Sequence, residues 1–351
     1  MNRSTHHSPT VEDVARAAGV STATVSRALN APDTVRAPLR LRVEAAVDRL
    51  GYVAHAGARA LSLRRSGTVG VVVPTVDNAI FARGLRAFQQ RMTSAGQVVL
   101  LAFSDYDPAQ EETQVRALLS RGVDALALTG ISQAPGMIDW LLQRGLPWVH
   151  TGSFPAPGGA ACVGFRNREA IGRAVRYLLD LGHRRIAMLA GIGDGNDRAA
   201  ERIEGVREAL AAARLKLPPR ALVEARYTLQ DARAGTRALL AATPAPTALL
   251  CGNDVLAWGA LLECQAQNLA VPRDLSVVGF DDLEMSHHWL PALTTIHVPT
   301  EAMWTRAADY LLGRLDGSIT EPQQQEIEVE LIVRGSTTPP LAGRRGRQGR
   351  A

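Results

Sequence analysis

The chain has 351 residues, 46% hydrophobic and 21% charged, enough for a small domain and one or two larger ones with their own cores and too poor in charge to be disordered by composition. No apolar run approaches the roughly 20 residues that span a bilayer, and Met1–Thr10 lacks the apolar stretch of a secretion signal, so a cytoplasmic protein with no membrane partner is expected. The formal charge of +5 is uneven: residues 1–65 carry +5, residues 341–351 carry +4, and the body is left at −4, which points to ends that meet a polyanion.

The first element begins at Thr10, whose hydroxyl can cap the free amides of a helix and which has an acid, Asp13, three residues on. Val11, Val14, Ala15 and Ala18 then recur on one helical face. Gly19-Val20-Ser21 breaks the pattern, with Ser21 placed to cap a second helix from Thr22 to Leu29. That helix turns Val25, Ala28 and Leu29 inward and leaves Thr22, Ala23, Ser26, Arg27 and Asn30 outside or on the rim. A third helix follows Pro38 with the stripe Leu39, Val43, Ala46, Val47 and Leu50. Two short helices joined by a tight glycine turn form a helix-turn-helix, whose second helix fits the major groove of double-stranded DNA.

The run Asp13-Val14-Ala15, Ala18-Gly19-Val20-Ser21 and Thr24 to Asn30, continued by Arg42 to Ala46, Leu50-Gly51-Tyr52 and Ala58 to Leu61, closely resembles the head of the LacI/GalR family of regulators. The resemblance implies a helix-turn-helix domain over 9–55, a hinge helix or linker over 56–66, a two-lobed effector-binding and dimerisation body over 67–340, and a basic tail without fixed structure over 341–351. It implies that Thr22, Ala23 and Arg27 read bases, and that Thr10, Ser21, Thr24 and Asn30 mainly meet phosphates, though Thr24 and Asn30 serve equally well as capping or packing residues. In the hinge, Leu61 would be a wedge in the minor groove, with Arg59 beside it. Val53-Ala54-His55 departs from the family's Pro-Asn after the tyrosine, and His55 is a weaker cap than Asn, so a hinge less stable without DNA is expected.

Beyond Gly67 the pattern becomes an alternation of apolar runs and amphipathic stretches. Strands are predicted at 69–73, 98–102, 125–129, 148–150, 186–190, 248–251 and 276–280, with helices at 81–95, 114–121, 169–181, 201–213, 231–241 and 255–267. This alternation predicts parallel sheets covered on both faces, in two units, with ligands bound at the carboxyl ends of the strands. Those ends carry Asp77-Asn78, Gly191 to Arg202, Asn253-Asp254 and Asp281-Asp282. Leu181 to Ala187, Ser276 to Asp282 and Pro291 to Ile296 resemble the same family, whose sensor body is similar to periplasmic sugar-binding proteins, a Rossmann-like α/β fold.

By that resemblance Ile80 and Phe81 would wall an effector site, Tyr227 would stack on the ligand, Arg202 would donate to its oxygens, and Asn253 and Asp281 would bond its hydroxyls. Competing roles stand beside these: core packing for Phe81, a helix cap for Asn253, a hinge salt bridge for Asp281. Arg166 and Arg198 are expected to join Arg202, a cluster that favours a carboxylate or phosphate, against the alternative that both are solvated loop residues. Local stretches such as Ile80-Phe81-Ala82 and Glu263-Cys264-Gln265 resemble gluconate-operon repressors, so a sugar acid or sugar phosphate is expected, with a neutral sugar or a purine-like corepressor as alternatives.

A homodimer on a pseudo-palindromic operator is expected, because one head reads few base pairs, with 81–95 and the Trp258-Leu261-Leu262 helix at its surface unless Trp258 is lobe core. Enzyme motifs are lacking: Gly191-Ile192-Gly193-Asp194-Gly195 weakly resembles a dinucleotide loop but has Asn196 at the third glycine, so no catalytic residue and no cofactor are predicted. Cys162, Cys251 and Cys264 are few and scattered, and the paired histidines lack ligand spacing, so neither a disulfide framework nor a metal site is predicted. A plain sugar-binding transport protein is disfavoured by the DNA-binding head.

Overall fold

The computed structural model describes residues 9–53 and 65–341. Contacts divide the chain into two units, Met1–Gly67 and Thr68–Ala351. Arg59, Leu61, nearly all of the expected hinge and the tail from 342 onward lie outside the described residues.

The first unit is three helices, α1 (Val11–Ala18), α2 (Thr22–Asn30) and α3 (Ala37–Leu50). Thr10 and Asp13 cap α1 reciprocally, the Asp13 amide donating to Thr10 Oγ1 and the Thr10 amide to Asp13 Oδ2. Gly19 takes the left-handed conformation (φ 62°) that ends α1, and the Thr24 amide donates to Ser21 Oγ at the start of α2. Arg42 of α3 closes this turn by donating to the carbonyls of Ala18 and Gly19. Val14, Ala15, Ala18, Val25, Ala28, Val43 and Ala46 form the buried centre.

The second unit contains two six-stranded sheets. The first runs β11-β5-β4-β3-β1-β2 and the second β12-β10-β9-β8-β6-β7, parallel throughout except for the β10–β12 pair. Their strands are β1 (Thr68–Val73), β2 (Val98–Phe103), β3 (Ala125–Thr129), β4 (Trp148–Thr151), β5 (Cys162–Gly164), β6 (Ile186–Gly191), β7 (Leu222–Ala225), β8 (Ala248–Cys251), β9 (Ser276–Asp281), β10 (Thr294–His297), β11 (Gln324–Glu326) and β12 (Glu330–Ile332). The first lobe is completed by α4 (Ala79–Ser94), α5 (Pro108–Ser120), α6 (Met137–Arg144) and α12 (Thr300–Asp316). The second carries α7 (Asn167–Asp180), α8 (Asp197–Ala212), α9 (Leu229–Leu240), α10 (Asp254–Ala266) and the short α11 (Glu284–His288).

Period-two alternation distributes each strand between two cores. Ile186, Met188 and Ala190 of β6 point to the side of α7 and α8, whereas Ala187 and Leu189 point to α9 and α10. Val69, Val71 and Val73 of β1 likewise join α4 and α12, while Val72 packs with α5 and α6. The α4–α12 contact is close because Gly84 has no side chain: a Cβ there would strike the indole of Trp304. The chain passes between the lobes three times, at residues 165–166, 298–299 and 327–329.

Candidate functional site

In the head, Thr22, Ala23, Ser26 and Arg27 are exposed on α2, as its apolar spacing requires. Arg27 Nε donates to the Ala23 carbonyl at 3.4 Å, and the side chain is exposed. Thr24 Oγ1 lies 2.9 Å from Ser21 Oγ, and Asn30 Nδ2 donates to Ser26 Oγ at 3.3 Å, so both make local helix contacts.

In the body, the carboxyl ends of β1, β3, β4, β6, β8 and β9 face a cleft between the lobes. Its accessible cavity is about 60 Å³, room for a few waters, within about 570 Å³ of space that includes the open mouth. Ile80, Phe81, Arg198, Arg202, Tyr227, Asn253 and Asp281 all line it. Arg202 is buried, donating from Nε to Asn167 Oδ1 at 2.9 Å and from Nη1 to the Gly252 carbonyl at 2.6 Å, with its carbon centre 3.6 Å from the Phe280 ring centroid. Asn167 in turn donates to the Gly152 carbonyl of the first lobe at 2.9 Å.

Asp281 has a left-handed backbone (φ 105°) and, among the described residues, pairs with Arg202 alone, at 3.9 Å. Burial pushes its carboxyl up to about 7 against the pull of Arg202, and the negative charge of Asp254 pushes the same way. The hinge-side salt bridge belongs instead to Asp282, which accepts from Arg334 at 2.7 Å. Asn253 serves as helix cap through Oδ1, which accepts the Leu256 amide at 2.9 Å, yet its Nδ2 is a buried donor without a partner.

Tyr227 faces Tyr106 from the opposite lobe, ring centroids 5.8 Å apart, and burial raises both phenols above their ordinary range. Asn196 donates to the Tyr227 hydroxyl at 3.2 Å. Two glycines of the Gly191 to Gly195 loop allow the close approach: a Cβ at Gly191 would collide with the Tyr227 ring, and one at Gly195 with the main-chain carbonyl of Tyr106. The amino end of α8 also bridges the lobes. The Asp197 amide donates to Ser132 Oγ at 3.0 Å, its carboxylate accepts the Ser153 hydroxyl, and it pairs with Arg198 at 2.9 Å.

Arg166 corrects the expectation of three converging guanidinium groups. It pairs with Glu326 at 3.1 Å and Glu169 at 3.5 Å and lies over Phe154, away from the cavity lining. Asn78 and Asn196, at strand ends singled out in the sequence, line the cavity too, whereas sequence reasoning missed Tyr106, Thr129, Met303 and Trp304. Among the described residues, no group of three His, Cys, Asp or Glu is placed to hold a metal, and no helix is long and apolar enough to cross a membrane.

A helix-turn-helix head and a two-lobed α/β body with a cleft between its lobes define a DNA-binding transcriptional regulator rather than an enzyme. Residues 10–55 match the bacterial regulatory proteins of the lacI family and residues 175–337 match the periplasmic binding protein-like domain. The chain belongs to the LacI family. It is 33% identical over 329 residues to the HTH-type transcriptional repressor CytR of Escherichia coli K12, covering 93% of this chain and 96% of CytR. It is 35% identical over 338 residues to the HTH-type transcriptional regulator GntR of Pseudomonas aeruginosa PAO1, covering 96% and 98%. Among solved structures, the lac repressor dimer bound to operator and the anti-inducer ONPF superimposes with a TM-score of 0.84 at 28% identity, covering 95% of this chain and all (100%) of that one.

Proposed function

We propose that the protein represses a carbohydrate-utilisation operon and that a small sugar-acid effector of the gluconate type, held between the two lobes, controls it. The single observation that carries the effector reading is the buried Asn253 Nδ2, a donor without an acceptor that lines the same cavity as the Asp281 carboxyl. An orphan buried donor costs about 1–3 kcal/mol, and a ligand oxygen would remove that cost. Asp281 would bond a hydroxyl, Arg198 and Arg202 the acid group, and Tyr227, Ile80 and Phe81 the carbon skeleton. The similarity to regulators named GntR supports the acid. A neutral sugar is the second reading, favoured by the pairing of Arg198 with Asp197, which offsets one of the two cations.

In the head, Thr22, Ala23 and Arg27 would read base edges while Thr10, Ser21, Thr24 and Asn30 meet phosphates; Arg59 and Leu61 would act in the hinge. Two copies would form a homodimer on a pseudo-palindromic operator, as the lac repressor does on its operator. Edge strand β2, with Val98, Leu101 and Phe103 exposed, offers an apolar surface for that association. The effector would act by binding the open and closed forms of the body unequally. Calorimetry with D-gluconate and a neutral hexose tests the ligand class: tight binding of the hexose with none of gluconate ends the acid reading. Anisotropy with operator fragments against random duplex tests the head.

A further inference from the structure

The effector cleft lies at the carboxyl ends of the second sheet's strands. At the opposite end, where β6 begins, a groove holds about 530 Å³ of space, part of it open to solvent, between Arg184, Arg185, Lys216 and Arg220. No carboxylate lines it, and none of these four cations forms an ion pair among the described residues. The body carries a net charge of −4, yet, among the described residues, none of its acids is placed against these four. Elsewhere Arg168 holds Glu201 and Glu208, Arg233 and Arg237 share Glu263, and Arg334 takes Asp282. Two of the groove's guanidinium groups are oriented by main chain, which fixes them without neutralising them. Arg185 Nε donates to the Ala245 carbonyl at 2.8 Å, and Arg184 Nη1 to the Leu179 carbonyl at 3.2 Å. Buried Ile186 and Leu239 supply an apolar floor.

We propose that this groove is a second ligand site, for a compact polyphosphate anion such as a nucleoside triphosphate or pyrophosphate. Four uncompensated cations around one space repel each other, and an anion with several oxygens relieves that repulsion. Guanidinium forks match phosphate oxygens in pairs. A single carboxylate is too small to engage four cations at once. The groove's cavity volume of about 140 Å³ suits a compact anion and is too confined for a duplex. The site shares no residue with the effector cleft, so it stands or falls separately.

Lys216 is the only lysine in the chain, which gives the groove its own reporter. The full-length protein is treated with N-hydroxysuccinimidyl acetate, and acetylation of Lys216 is followed by peptide mass spectrometry. ATP or pyrophosphate is present, or sodium chloride at the same ionic strength. With ligand at about ten times its Kd, acetylation at Lys216 should slow by about tenfold, as mass action requires of one blocked site. Chloride should leave it unchanged. Stronger protection by ATP than by pyrophosphate identifies a nucleotide that uses the apolar floor; equal protection identifies the phosphates alone as the recognised part. R185E/R220E should abolish protection, and R220Q, a milder exposed change, should weaken it if the double variant does not fold. No protection, equal protection by chloride, undiminished protection in both variants, or protection by a DNA duplex but by neither phosphate compound each overturns the proposal.

Discussion

The backbone amide of Asp197 donates to Ser132 Oγ at 3.0 Å, so the amino end of α8 in one lobe is fastened to the loop after β3 in the other. The same aspartate accepts from Ser153 and pairs with Arg198, and it therefore couples lobe closure to a cation that faces the cavity. Asp197→Ala should loosen the closed form. Small-angle scattering of the unliganded protein should show a larger radius of gyration. Because the effector would favour the closed form, the variant's operator affinity should move opposite to the change the effector produces. Unchanged scattering together with unchanged operator binding would remove Asp197 from this role.

The two functions of Asn253 can be separated. Asn253→Asp keeps an oxygen at the start of α10, where aspartate caps as well as asparagine, but removes the Nδ2 donor. The new carboxyl is buried in the cavity that holds Asp281, so the melting temperature should fall less at pH about 4 than at pH about 7, while gluconate affinity falls by roughly fivefold or more at both, the worth of about one hydrogen bond. Asn253→Ala should lose the cap too, costing about 1 kcal/mol of stability. Retained affinity in the aspartate variant would show that the amide nitrogen meets no ligand.

Asp281 should make stability depend on pH. Its folded value of about 7 stands above the ordinary 3.8, so between these pH values the folded chain holds a proton that the unfolded chain has released. Stability therefore falls as pH rises from about 4 to about 7 and levels off above. Glu111, raised by burial to about 7, and Asp254, raised by burial to about 6, act in the same direction; His150, lowered by burial to about 4, opposes them below its unfolded value of 6.5. Urea melts of Asp281→Asn across this range should lose part of the fall, with the variant gaining on the parent toward high pH. The ligand reads the same group. Affinity for a sugar acid should weaken as Asp281 ionises, whereas affinity for a neutral sugar should strengthen, so the sign of the slope distinguishes the two readings.

Arg27→Ala should abolish operator discrimination and leave effector binding intact, because the side chain lies exposed on α2 and supports no core contact. Operator affinity of the parent should fall steeply with salt, as phosphate contacts require. A flat salt response would contradict the assignment of the head, and simultaneous loss of effector binding would indicate misfolding.

Much of this architecture is visible in sequence because short-range chemistry dictates it. Thr10, Gly19 and Ser21 mark the head's helix ends, and the continuous apolar runs of β3 and β8 mark buried parallel strands at the bounds observed. Strands β5, β7, β10, β11 and β12 escaped because they are short, lack the four-residue apolar run of β8, and are specified by partners elsewhere. Gln324–Glu326, with no apolar residue, is a strand only because Cys162–Gly164 lies beside it. Helix α12 did carry a signal in Met303, Trp304, Ala307, Ala308 and Leu311, one face at helical spacing. In the cleft, Arg202, Asn253 and Asp281 sit at strand ends, where position predicts exposure to a ligand. Arg166 was misplaced because its partner Glu326 is 160 residues away in the chain. Tyr106 went unseen because it sits in a loop at φ 63°, a conformation uncommon for a bulky residue.

The three passages between the lobes bear on how the protein is made. The sheet that opens the body is not finished by its own stretch of chain: β11 comes from residues 324–326, and α12, from residues 300–316, covers β3, β4 and β5. During synthesis, that apolar surface must wait for most of the second lobe to emerge from the ribosome before it gains its cover. Such long-range closure slows folding and leaves a sticky intermediate in the meantime. A messenger cut short after the codon for residue 299 would therefore yield two unfinished lobes rather than one sound one.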